Sequence, residues 1–332
     1  MRKRATIGVD IGGTKILGAL YDDKFRVLDE IKLKTRPEKG EKRFTKSLAE
    51  VVGRLTAAAE KRGRVVAAVG AGCACSLEPK TGRIKRFLNM PDLDGYELGK
   101  RLTKLSGAPA LVGNDVQLGL YGEQRLGAAR GYKHVIGVFI GTGVGGAVII
   151  DGKLHVGATG DAGEIGHYLI SPMGPLAGSE RQGVLDDWIS RTAIAGEAAS
   201  FAAKQWAPAL FKLAGTDAGR IRSGTLAQSI DGGDKQIEAM IRCRARTAGI
   251  ALSNLVDFLN PELVVLGGGM VEAMPALFLK EIGEGIRRHT VKSVREAVKI
   301  VPASLKGHAT AAGAAHMAWE HFLSHASMGT KD

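Results

Sequence analysis

Cysteine, aromatic side chains and long apolar runs are all scarce in this chain, and each shortage closes off a class of protein. Three cysteines, Cys73, Cys75 and Cys243, in 332 residues make no disulfide framework, so a reducing compartment is expected. Cys73 and Cys75 stand inside an apolar stretch, where packing explains them better than metal binding. Aromatic residues make up only 5% and are not interleaved with the basic ones, which are scattered at Arg2, Lys3 and Arg4, at Lys39, Lys42 and Arg43, and at Arg242, Arg244 and Arg246. No nucleic-acid partner is expected from that pattern. No apolar run reaches the ~18 residues that a membrane span needs. The basic start Met1-Arg2-Lys3-Arg4 leads into an apolar segment that Asp10 soon interrupts, so neither a secretory signal nor a membrane anchor is expected, and the chain reads as cytoplasmic.

What is present reads as a folded molecule in two parts. The chain exceeds the ~250–300 residues at which single cores stop growing. Its 45% hydrophobic and 24% charged residues are those of a globular protein. Lysine and arginine outnumber the acids 46 to 34, a net charge of +12, which favours anionic partners such as nucleotide phosphates. Residues 6–21 and 26–35 predict a pair of strands turning at Asp22-Asp23-Lys24. Phe44, Leu48, Val51, Val52, Leu55, Ala58 and Ala59 recur at the spacing of one buried helical face. A strand over 65–70, a helix over 96–105, a strand over 110–113 and a helix over 116–126 complete a first α/β half. Strands over 134–140, 145–150 and 153–156 open a second half. After a loop-rich stretch come a long amphipathic helix over 234–259, stopped at Asn260-Pro261, a buried strand over 263–266 and helices over 270–288 and 308–322.

Three glycine-rich turns stand at the ends of three apolar strands: Gly12-Gly13-Thr14, Gly141-Thr142-Gly143 and Gly267-Gly268-Gly269. Glycine lets a backbone approach an anion closely and turn its N–H groups onto it. Asp10, just before the first turn, suits magnesium, a hard cation that takes oxygen ligands. Each turn alone is also an ordinary strand connection; three together favour convergence on one phosphate-bearing ligand. Gly141, Gly143 and Gly146 fit the dinucleotide spacing, yet Ala147-Val148-Ile149-Ile150 continues as a strand where that fingerprint needs a helix. No phosphate loop of the G-x-x-x-x-G-K-[ST] kind surrounds Lys15.

Asp10-Ile11-Gly12-Gly13-Thr14-Lys15, Gly113-Asn114-Asp115, Ile140-Gly141-Thr142-Gly143-Val144-Gly145-Gly146, Gly163-Glu164-Ile165-Gly166-His167 and Leu266-Gly267-Gly268-Gly269 together resemble the ROK family of sugar kinases and repressors, in the same order and from about residue 5 to about residue 320. The resemblance implies the actin-like ATPase (ribonuclease H-like) fold: two α/β domains around a deep cleft, with ATP phosphates held by the glycine turns. The first domain would comprise residues 1–125, with a helix near 308–325 packing back on it, and the second residues 126–307. The resemblance further implies that Asp115 is the catalytic base, that Asn114, Asp115, Glu164 and His167 bind the sugar, and that Asn89 adds a contact. Asp10 would serve magnesium, with Gly12, Gly13, Thr14 and Lys15, Gly141, Thr142 and Gly143, and Gly267, Gly268 and Gly269 on the nucleotide. Read as residues alone, Asn114-Asp115 also suits a helix cap, and Asn89 a plain loop.

One segment departs from the family pattern. Many members hold a structural zinc with three cysteines and the histidine of the Gly-Glu-Ile-Gly-His motif; here Ala177, Ser179 and Val184 replace the thiolates. Zinc needs about four N, S or O ligands, so no zinc is expected. The family's last sugar-contacting Glu corresponds to Asp186, or in another alignment to Asp187, so the preferred hexose is softer than the reaction. A kinase for ATP and glucose is the expectation. Other hexoses, N-acetylhexosamines or polyphosphate as donor are the alternatives, and a homodimer is what the family implies. A sugar-responsive repressor carries an additional helix-turn-helix region, and only nine residues precede Asp10.

Overall fold

The computed structural model describes residues 3–88, 90–171 and 182–323. Along the chain run β1 (Lys3–Ile11), β2 (Lys15–Tyr21), β3 (Val27–Lys34), α1 (Gly40–Lys61), β4 (Arg64–Cys73), β5 (Ser76–Leu77), β6 (Ile84–Arg86), α2 (Leu98–Ser106), β7 (Ala110–Asn114), α3 (Asp115–Leu126), β8 (Val135–Ile140), β9 (Val144–Ile150) and β10 (Lys153–His155). Then follow α4 (Leu185–Ile189), α5 (Arg191–Ala203), α6 (Pro208–Ala214), α7 (Ser223–Asp231), α8 (Lys235–Leu259), β11 (Leu263–Gly267), α9 (Gly269–Ala273), α10 (Pro275–His289), α11 (Lys292–Ala297), β12 (Lys299–Pro302) and α12 (Ala309–Leu323). The contacts divide the chain into two units: residues up to Gly131 with Leu154–Ala162 and the chain from Gly307, and Tyr132–Lys153 with Gly163–Lys306. The division therefore differs from a cut at residue 125. Leu154–Ala162 returns to the first unit, where Gln117 Nε2 donates to the carbonyls of Gly160 (2.9 Å) and Ala162 (3.1 Å), and Ser76 Oγ to Asp161 (3.0 Å).

The first unit is a sheet in the order β3-β2-β1-β4-β7, with β1, β4 and β7 parallel and the other pairs antiparallel. The predicted strand over 6–21 is two strands, because the Gly12–Thr14 turn reverses the chain: Gly12 N donates to Lys15 O at 2.9 Å. Helix α1 buries the seven apolar residues named above, and Val51 and Leu55 fill the space that a side chain at Gly18 would take. The other side carries α12. A Cβ at Gly8 would stand 1.9 Å from Ala311 O, and one at Gly70, the cross-strand partner of Gly8, 1.9 Å from Ala314 O. Glycine is required there because helix backbone lies directly on strand backbone.

The second unit carries a sheet in the order β10-β9-β8-β11-β12, with β8, β11 and β12 parallel. Its core combines Ile136, Val138, Val264 and Leu266 from the strands with Ile241, Ala248, Phe278 and Ile282 from α8 and α10. Two expectations are corrected here. The single helix over 270–288 breaks at Met274, since Pro275 opens a new helix. The stretch taken as loop-rich contains α4 to α7; α5 is alanine-rich and shows little apolar-polar contrast around its axis, which is the signal that periodicity relies on.

Candidate functional site

In the first unit, register gathers the chemistry. Ile11 pairs with Cys73 and Cys73 with Asn114, so the carboxyl ends of three parallel strands finish level. At ~4.8 Å per strand, Ile11 and Asn114 lie about 10 Å apart. The Asp10 turn and the Asn114-Asp115 pair thus share one edge, the edge at which ligands bind in open α/β sheets. Asn114 caps α3: its Oδ1 accepts from Val116 N (3.0 Å) and Gln117 N (3.1 Å), which uses the amide oxygen and neither of the Nδ2 hydrogens. Asp115 is the first residue of α3, half-buried, and its carbonyl accepts from Thr310 Oγ1 at 3.0 Å. The cap reading and the substrate reading therefore fall on different atoms of the same pair.

Asp10 is mostly buried, with Lys15 Nζ at 3.6 Å. Burial raises its carboxyl above the ordinary range, against the positive fields of Lys15, His308 and Lys32. Thr35 pins the turn, donating Oγ1 to Gly12 O (2.8 Å) and N to Thr14 O (3.0 Å). Gly12 has no left-handed φ, and the nearest atom to a Cβ built there is 3.5 Å away. The fold itself makes no demand for glycine at that position.

In the second unit, the other two glycine turns abut. Gly267 pairs with Phe139, and Gly268, at φ 86°, lies so close that its Cβ would stand 2.5 Å from Ile140 O. Gly141, like Gly12, has space: the nearest atom to a Cβ is Gly143 O at 3.9 Å. Asp186 braces this turn, its Oδ1 accepting from Val144 N at 2.5 Å and standing 2.9 Å from where a Gly143 Cβ would be. Burial raises the Asp186 carboxyl, Val144 N lowers it, Asp187 raises it and His167 lowers it. Asp187 is the more buried of the two.

Glu164 and His167 flank one short turn of 3-10 helix, with His167 Nε2 4.0 Å from Glu164 Oε2 and both side chains about half exposed. Their loop is clamped onto β9 by glycine: a Cβ at Gly166 would meet Val144 O at 2.2 Å, and one at Gly146 would meet Gly163 O at 2.6 Å. Asn89 lies outside the described residues, as do two of the three positions on which the zinc expectation rests, Ala177 and Ser179; the third, Val184, is buried and bridges to Leu169. Among the described residues no group of three metal-ligating side chains occurs.

Sequence reasoning missed Arg191. It opens α5 and attaches to the second turn twice, its N donating to Gly141 O (2.8 Å) and its Nη2 to Thr142 Oγ1 (3.2 Å), and the adjacent Thr192 adds a bond from Oγ1 to Thr142 O (2.8 Å). The Ser190 cap before it was the only local signal: Ser190 Oγ accepts from Ala193 N.

A family model described as ROK family matches residues 6–321. A glucokinase of Thermotoga maritima is 30% identical over 84% of this chain and 86% of its own length. A glucokinase of Streptomyces coelicolor is 30% identical over 95% of this chain and 98% of its own. Among solved structures, a ROK family glucokinase from Streptomyces griseus in complex with glucose and AMPPNP matches with a TM-score of 0.83 at 31% identity, covering 95% of this chain and 99% of that one.

Proposed function

The chain belongs to the ROK family, and on that premise we propose that it transfers the γ-phosphoryl group of ATP to the 6-hydroxyl of glucose. Its fold is the actin-like ATPase (ribonuclease H-like) fold of two α/β domains. The observation that carries the reading is the level ending of β1, β4 and β7, which sets a phosphate-type turn and a carboxylate on one sheet edge.

Phosphoryl transfer is mostly positioning and charge stabilisation. In this reading Asn114 and Asp115 hold the sugar, and Asp115 takes the 6-hydroxyl proton as that oxygen bonds to the γ-phosphorus and ADP departs. Glu164 and His167 grip further hydroxyls, one as acceptor and the other as donor or acceptor. Asp186 acts through the Gly143 turn that it braces, and its shorter side chain bears on which hexose is preferred. Gly12, Gly13, Thr14 and Lys15, Gly141, Thr142 and Gly143, and Gly267, Gly268 and Gly269 line the donor phosphates. The space at Gly12 and Gly141 supports this, because something other than the fold keeps those positions bare.

Magnesium fits this chemistry at Asp10, a carboxylate beside the turn, since a nucleotide-borne magnesium takes only one or two protein carboxylates besides phosphate and water. It would neutralise charge on the phosphates. The assembly proposed with this activity is a homodimer in the cytoplasm; no described helix is long and apolar enough to cross a membrane. The decisive experiment is coupled ADP release over glucose, mannose, fructose, allose, N-acetylglucosamine and N-acetylmannosamine, with parallel wells supplying polyphosphate. Highest kcat/KM with ATP and glucose is expected, and silence with every sugar and either donor would overturn the reading.

A further inference from the structure

Two arginines stand at the paired glycine turns of the second unit, and among the described residues no acid balances them. Arg191 is half-buried at the Gly141–Gly143 turn, its guanidinium stretched between Thr142 Oγ1 (Nη2, 3.2 Å) and the carbonyl of Ile221 (Nη1, 3.4 Å). Ile221 leads directly into Arg222, the residue before α7, and Ser223 Oγ lies 3.4 Å from where a Cβ of Gly269 in the third turn would stand. The Arg191–Ile221 bond therefore ties the second turn to the segment that covers the third. Among the described residues neither guanidinium lies within ion-pair distance of a carboxylate, whereas Arg242, Arg244 and Arg246 of α8 all do.

That arrangement is costly in itself. A cation withdrawn from water without a counter-charge loses solvation that two neutral acceptors only partly replace. A second cation nearby adds repulsion, and both burial and the field of Arg222 pull the Arg191 guanidinium below its ordinary basicity. A forked guanidinium held beside a turn with spare room at Gly141 is instead matched to a phosphate, which accepts two parallel N–H bonds.

We propose that Arg191, with Arg222 as the second charge, binds the phosphate chain of the donor, so that recognition of the polyanion rests on arginine as well as on glycine backbone. The assignment rests on the phosphotransferase reading for the identity of the anion but not for its existence. Arginine rather than lysine matters at 191, because only the fork can hold Thr142 and Ile221 and still present N–H groups to a phosphate.

The test is calorimetric titration of the whole protein with tripolyphosphate, ADP and adenosine, in wild type and in Arg191→Met, Arg191→Lys and Arg222→Met, with melting temperature as the folding control. Arg191→Met should weaken tripolyphosphate and ADP by tenfold or more at an unchanged melting temperature, leave adenosine within twofold, and raise KM for ATP while KM for the sugar stays within twofold. Arg191→Lys should recover part of the loss, and Arg222→Met should show a smaller one. Unchanged tripolyphosphate affinity in a folded Arg191→Met protein would overturn the proposal, as would a fall in melting temperature with affinity intact, the mark of a purely structural tie. A wild type that binds tripolyphosphate through Arg191 yet phosphorylates no sugar would uphold the site and undo the kinase reading.

Discussion

Asp10 is held in a place that disfavours its own charge. Burial outweighs the nearby cations, so the folded protein binds a proton at Asp10 more readily than the unfolded chain does. A carboxyl raised on folding favours the fold when protonated. That contribution is complete below about pH 4 and is lost as pH climbs through the raised value. Asp10→Asn is therefore expected to melt no lower than wild type at pH 7, with the difference closing toward pH 4, and to lose phosphoryl transfer. A variant melting several degrees lower at pH 7 would contradict this account. Asp115 is tested by turnover: Asp115→Asn should lower kcat by about 10²–10⁴-fold, the usual worth of a general base, with melting unchanged, and near-normal turnover would remove Asp115 from that role.

Glycines within one kind of strand or turn answer to different constraints, and the elements around them say which. Gly8 and Gly70 are bare because α12 presses its backbone onto β1 and β4. Ala at Gly70 should cost about 1–3 kcal/mol or more by forcing helix from sheet, visible as a lower melting temperature with KM for ATP intact in whatever folds. Gly12 and Gly141 have room, so Gly12→Ala and Gly141→Ala should melt like wild type and raise KM for ATP about tenfold or more. Equal effects across both pairs would erase the distinction. Much of this was readable in advance at the level of elements: α1 and α8 announced themselves by apolar period, and β8 and β11 by β-branched runs ending in glycine. The helices between Leu185 and Asp231 were not: α5 is alanine-rich and buries itself without an amphipathic stripe, α4, α6 and α7 are too short to show a period, and Arg191 was hidden with them.

At the scale of the whole molecule, the candidate residues could be picked out because they fall in short strings such as Asp10–Lys15 and Gly163–His167, while the bonds joining distant strings leave no local trace. Thr310 on the Asp115 carbonyl and Arg191 on the Ile221 carbonyl are both of that second kind. The replaced cysteine positions yield a global test: a zinc chelator should leave the melting temperature unchanged, and a large fall would show a metal site that Ala177, Ser179 and Val184 do not suggest. The placement of α12 has a further consequence, for synthesis. The strands that bear Asp10 and Asn114 leave the ribosome early, yet the helix that roofs them, and the hydroxyl that holds the start of α3, are translated after the entire second unit. The unit begun first is the one completed last, so a nascent chain stalled before Ala309 would carry a sheet with α1 on one side and no α12 on the other, and an Asp115 carbonyl without its Thr310 partner, so that a truncation there would loosen the first strands from the far end of the chain.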